Sequence, residues 1–205
     1  MRPIRAAVLL AVLAVPGMAP AADPYHVDPS HSNVDFRIRH LISTVSGRFS
    51  AFSGTILLDT TDMTKSSVTF VIDAKSIDTA NAKRDEHLRS ADFFDVEKYP
   101  EIVFESSSIA KTGENAYAVT GNFTMHGVTK PITVPVTYLG SMTGPRGTPL
   151  AGFVAEVVLN RKDFGIVWNR ALDAGGAVLG DEVTCRIALE AAVRKEAPAA
   201  PVPAK

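Results

Sequence analysis

Residues 32–40 alternate without a break: Val34, Phe36, Ile38 and His40 fall on one side, Asn33, Asp35, Arg37 and Arg39 on the other. Side chains on an extended strand switch faces at every residue, so this stretch has one apolar face and one charged face. Seven more stretches carry strand signals, at residues 47–59, 67–74, 101–109, 116–125, 131–139, 150–161 and 182–192. Turn-forming residues separate several of them, at 111–115, 126–127 and 141–147. Short turns demand antiparallel neighbours, because a parallel return needs a long crossover. The pattern therefore predicts an all-β fold, an eight-stranded antiparallel up-and-down barrel whose interior holds packed side chains or one ligand.

Two segments break the rhythm. Residues 81–100 begin with the polar run Asn81-Ala82-Lys83-Arg84-Asp85-Glu86-His87-Leu88-Arg89 and continue to Phe93 and Phe94. This insertion between the third and fourth strands is too long for a plain hairpin, and reads as a short helix with an aromatic plug across one end of the barrel. Residues 162–180 precede the last strand and contain Trp168, Gly175 and Gly176. Phe93, Phe94 and Trp168 are expected to form a lid.

The ends change the picture further. Met1-Arg2-Pro3-Ile4-Arg5 is a short basic head, followed by ten apolar residues from Ala6 to Val15 and small residues around Ala21. Residues 1–21 read as a signal peptide, too short in its apolar run to span a bilayer. Residues 194–205 are a Pro/Ala-rich tail expected to be disordered. Residues 22–193 remain as one domain, expected in the periplasm. A formal net charge of −1 gives a nucleic-acid partner no electrostatic support. Cys185 is the only cysteine, so no internal disulfide forms and stability rests on core packing.

Phase singles out two polar groups. Arg161 shares a face with Phe153, Ala155, Val157 and Leu159, as His40 does with its apolar neighbours. An up-and-down barrel places both at the same end. A buried cation without a partner is very costly, so Arg161 needs a carboxylate, a backbone carbonyl or a ligand head group. Two readings stay open: closure of the barrel end through Asp85, Asp92 or Asp163, and a ligand mouth. The five histidines have no metal-ligand spacing, and no metal or cofactor is expected. There is no Gly-x-Ser-x-Gly elbow, and residues 28–31 read as a turn. Cys185, inward in phase, reads as a small buried hydrophobe.

The motifs resemble those of the YceI-like family of periplasmic polyisoprenoid-binding proteins. They are Val27-Asp28-Pro29-Ser30-His31-Ser32, running on through Arg39-His40-Leu41 to Val45-Ser46-Gly47-Arg48-Phe49; Arg84 to Val96 with Tyr99-Pro100; Gly121 to Lys130; Arg161-Lys162-Asp163-Phe164-Gly165; and Gly180-Asp181-Glu182-Val183. Tyr25 stands where the family often has tryptophan. The resemblance implies a lipocalin-like barrel with a long isoprenoid tail in its lumen, acting as a carrier or store for a polyprenyl quinone, such as ubiquinone, or a polyprenyl phosphate. Transient membrane contact for lipid exchange is expected of such a carrier, as a monomer or homodimer.

On that reading, phase and position assign the tail wall to Val34, Phe36, Ile38, Phe70, Ile72, Phe104, Phe123, Val134, Val157 and Ile187, and the head group to His40, Arg84, His87 and Arg161. Burying apolar chain gains about 0.8 kcal/mol per methylene, offset in part by ordering the chain. The alternative is an enzyme acting on a lipid in the same cavity, which the fold class permits. An outer-membrane barrel is excluded, because Asp35, Arg37, Arg39, Glu156, Arg186 and Glu190 occupy the outer face.

Overall fold

The computed structural model describes residues 22–171 and 177–193. The expected signal segment, the Pro/Ala-rich tail and the pair Gly175 and Gly176 lie outside the described residues. Alternation yields long strands wherever it is sustained: β2 (Asn33–His40), β7 (Glu101–Lys111), β8 (Ala116–Met125), β9 (Val128–Thr143), β10 (Pro149–Asn160) and β11 (Leu179–Val193). Shorter strands complete the set: β1 (Asp23–Val27), β3 (Ser43–Phe49), β4 (Phe52–Leu58), β5 (Ser67–Asp73) and the two-residue β6 (Ile77–Asp78). A single α-helix among the described residues, α1 (Ala82–Arg89), lies between β6 and β7.

Every pairing is antiparallel, and the sheet closes because β1 bonds both β4 and β11. β1 and β2 share one strand position along β11, and β3 with β4 share the next. Eight positions therefore make the closed barrel that the pattern predicts.

Several boundaries differ from the sequence reading: β9 takes in residues 141–143, expected as turn, and β7 and β11 run longer than expected, to Lys111 and from Leu179. Residues 47–59 are not one strand: the chain bends at Ser50 and Ala51, and β3 leaves to pair with β6 while β4 pairs with β5. Ser50 N–H donates to the Ser76 carbonyl, and Asp73 N–H donates to that of Ala51, so the bend is bonded on both sides. β1 was not expected, because Asp23 and Pro24 are poor strand formers. Its neighbours hold it, burying Tyr25 and Val27. At the break between β1 and β2, Asp28 caps a 3₁₀ turn over Pro29–His31. Ser32 then substitutes for the missing ladder, donating from Oγ to the Glu190 carbonyl and accepting from Glu190 N–H.

The prolines of β9 lie where its β10 side is unpaired. Pro131 and Pro135 precede Val136, where pairing with β10 begins, so neither removes a ladder bond on that side. One apolar cluster around Phe49, Ile77, Phe93 and Phe164 packs near the α1 end, and another around Tyr25, Leu58, Phe153 and Ala191 packs towards the opposite end.

Candidate ligand cavity

Residues of both clusters surround a hollow interior. A cavity of about 690 Å³ runs through the lumen. Every wall residue expected from phase lines it: Val34, Phe36, Ile38, Phe70, Ile72, Phe104, Phe123, Val134, Val157 and Ile187. Aliphatic and aromatic side chains also make the deep end, with Leu58, Met63, Tyr117, Tyr138 and Phe153. Gly47 leaves room for the Phe36 ring, whose Cε1 lies 2.8 Å from where a Cβ would stand.

Polar lining gathers at the α1 end. His40, Arg84, His87 and Arg161 are all there, with Asn81 and Lys83 beside them. The lid residues Phe93, Phe94 and Trp168 line the same end. His87 lies between Phe93 and Trp168, with ring centroids 5.0 and 5.1 Å away, and its Nε2 is 2.8 Å from Asp92 Oδ2.

The helix stands here because its polar residues are spent on fastening it. Asn81 caps it by accepting from Arg84 N–H. Buried Asp85 accepts from both the amide and the hydroxyl of Thr79. Arg84 donates from Nε to Thr79 Oγ1 and from Nη2 to the Thr79 carbonyl. Arg89 donates to the carbonyls of Lys75 and Ile77, each at 2.7 Å. A helix this short has little stability alone and depends on such tertiary bonds.

Arg161 finds its partner within the protein. It lies one residue beyond β10, only 3% exposed. Its Nε donates to the Gly180 carbonyl, its Nη1 to those of Ile166 and Trp168, and its Nη2 to Asp181 Oδ1 at 3.3 Å. Burial pushes the guanidinium down from its usual value and Asp181 opposes that shift, yet arginine keeps its charge. Lys162 first, and then Arg161, hold the Asp181 carboxyl below its ordinary range. This is a tie across the chain before β11, and it leaves little of Arg161 for a head group. None of the suggested carboxylates serves it: Asp85 holds Thr79, Asp92 holds His87, and Asp163 pairs with Lys130.

The remaining polar groups differ in how much they have to offer. Arg84 retains Nη1, and His87 retains Nδ1. The His40 imidazole and the Lys83 ammonium make no hydrogen bond among the described residues. Cys185 also faces the lumen, and burial pushes its thiol up to about 11, which disfavours the reactive thiolate at neutral pH. Outside the cavity, Asp28, His31 and Glu190 form the one grouping of metal-ligand type among the described residues. Asp28 already accepts from Ser30 and meets the His31 ring, as a turn cap does.

The model of the YceI-like domain matches residues 25–191, all but the outermost two residues at each end of the barrel. The chain belongs to the YceI-like domain family. A UPF0312 protein of Vibrio campbellii is 40% identical over 161 residues, covering 77% of this chain and 85% of the relative. Among solved structures, Burkholderia cenocepacia BcnA superposes with a TM-score of 0.71 at 27% identity, over 80% of this chain and 98% of that one. A polyisoprenoid binding domain from Saccharophagus degradans shares the fold at 17% identity, with a TM-score of 0.60 over 83% of this chain and 98% of that one.

The YceI-like motifs acquire distinct jobs in this geometry. The stretch from Val27 to Ser32 turns the β1–β2 corner, the α1 stretch latches the mouth, and Arg161 ties down its rim. In the Gly121–Lys130 stretch, His126 and Gly127 take positive φ at the β8–β9 turn, and His126 Nδ1 lies 3.1 Å from the Phe164 carbonyl. Sequence reasoning missed Lys83 at the mouth. Its position one residue before Arg84 and four before His87, on a short helix, was the available signal.

Proposed function

We propose that this YceI-like protein binds a long-chain isoprenoid lipid in its lumen and carries or stores it in the periplasm, without chemical change to the lipid. The cavity is the observation that carries this reading. Its volume of about 690 Å³ lies within the roughly 300–1,000 Å³ of ligand sites. Its wall is mostly hydrocarbon; His40, Lys83, Arg84 and His87 line one end, and Ser66 with the Tyr117 and Tyr138 rings lines the other. That asymmetry suits an amphiphile with a long apolar tail and a compact polar head, either a polyprenyl quinone or a polyprenyl phosphate. The basic character of the mouth, from Lys83, Arg84 and the two histidines, suits oxygen acceptors on the head. The Saccharophagus degradans domain, described as polyisoprenoid binding, lends support from the same fold. Export rests on the basic and apolar pattern of residues 1–21.

Native mass spectrometry of the purified protein, followed by organic extraction, tests the reading. The expected result is a bound lipid that extracts intact and differs between preparations only by whole isoprene units. Protein that is repeatedly lipid-free, and takes up no added polyprenyl quinone or phosphate, overturns it.

A further inference from the structure

The rim of the cavity carries apolar residues that the barrel does not need. β2 and β3 are joined by Leu41 and Ile42 alone, since His40 pairs directly with Ser43. Two-residue hairpin tips normally take Gly, Asn or Asp. Here Leu41 holds φ +52°, a region costly for a branched side chain, and Ile42 is 104% exposed. Such a choice opposes both turn geometry and solvation, and conformations of this kind gather at functional sites. Val167, 64% exposed, lies on the neighbouring loop. The two segments are joined through hydrogen bonds: Leu41 N–H donates to the Val178 carbonyl, and Val178 N–H to that of Arg170.

Each exposed apolar group adjoins the cavity. His40, next to Leu41, and Trp168, next to Val167, both line the lumen. Cations flank the same rim. Arg39, Lys83 and Arg170 are exposed, and none forms an ion pair among the described residues; Arg39 instead donates to the Leu41 carbonyl. Apolar tips flanked by exposed cations match the two attractions of a membrane interface, acyl burial and anionic head groups.

We propose that the Leu41–Ile42 tip and Val167 dock this end of the barrel on an anionic phospholipid bilayer, setting the cavity mouth against the lipid surface. The use of that docking, lipid exchange, rests on the lipid-carrier reading; the docking itself does not. A prenyl chain then passes between bilayer and lumen without crossing water, and exchange is fast only where the rim is seated.

Vesicle flotation of the mature protein tests this, with vesicles of phosphatidylglycerol and phosphatidylethanolamine and with phosphatidylcholine alone. The unmodified protein should float with the anionic vesicles, and more weakly with the neutral ones. Ile42→Ser combined with Val167→Ser should lower binding about tenfold, following the apolar area removed. Leu139→Ser with Met142→Ser, exposed residues towards the opposite end, should leave it unchanged. Lipid content by mass spectrometry is measured on the same samples. The rim variant should retain its lipid but transfer it to vesicles more slowly. Absence of flotation for the unmodified protein, equal binding by the rim variant, or a rim variant that instead dissociates a dimer in sedimentation, each overturns the docking. Lipid-free protein that still floats overturns only the carrier reading.

Discussion

The imidazole of His87 meets the indole of Trp168 edge to face, with ring centroids 5.1 Å apart and planes at 89°. One ring belongs to α1 and the other to the segment before β11, so the pair joins the two elements that cover the mouth. Phe93 completes the set, 5.1 Å from Trp168.

Trp168 is the only tryptophan in the chain, and its emission reports this contact directly. His87→Ala should shift that emission to the red and cost about 0.5–1.5 kcal/mol in denaturant unfolding, the usual worth of an aromatic pair. Unchanged emission would mean that Phe93 alone sets the indole's surroundings.

Strand phase makes a paired prediction on β2. Phe36 lines the lumen, and Arg37, the next residue, is exposed. Phe36→Asp should abolish lipid retention and destabilise the fold by more than about 3 kcal/mol, through lost burial and a charge without a partner. Arg37→Ala should stay within about 0.5 kcal/mol of the parent. Equal effects in urea melts would reverse the assigned faces.

Arg161→Met removes the donors from the carbonyls of Gly180, Ile166 and Trp168. Each buried acceptor left without a donor costs about 1–3 kcal/mol. Hydrogen exchange should quicken locally, around Ile166 and Gly180, with β7 and β8 unaffected. A uniform change across the barrel would argue against a local tie.

Asp28 gives a pH dependence. Hydrogen bonds from the Ser30 hydroxyl, and then from His31, lower its carboxyl from 3.8 to about 2. Between those values the unfolded chain binds more protons, so stability rises with pH. The contribution is present above 3.8 and is lost as pH falls through about 2. Asp28→Asn lacks it, so the Tm gap between the two proteins should narrow over that window. A gap that stays constant down to pH 2 would assign Asp28 a purely geometric cap.

Cys185 can report occupancy. With its thiol pushed up to about 11, alkylation by iodoacetamide at pH 8 should be far slower than for a free thiol. Lipid in the lumen should slow it further, and lipid extraction should restore the rate. Indifference to extraction would place the bound chain away from β11.

Much of this molecule was legible in its sequence. Alternation along β2, β10 and β11 identified both faces, because the two-residue period of a strand leaves no third option. The insertion after β5 stood out through its length, and its polar run from Asn81 to Arg89 read as a short helix. β1 was not legible: five residues containing Asp23 and Pro24 become a strand only because β4 and β11 offer edges to bond. The bend at Ser50 was equally silent, since it reflects a choice between β5 and β6 as partners.

The candidate site divides the same way. Periodicity alone determined that Val34, Phe36, Val157 and Ile187 face a common interior, and that His40 and Arg161 belong to one end of it. It could not determine what Arg161 bonds. Its main partners are backbone carbonyls, which every residue carries and which therefore leave no mark in a sequence. Folding brings three of them around one guanidinium, removing it from the groups available to a ligand, while His40 and Lys83 remain open. The alternating pattern specified an apolar interior; only the closure of eight strand positions decided that this interior is hollow, because a void depends on how side chains from opposite walls meet.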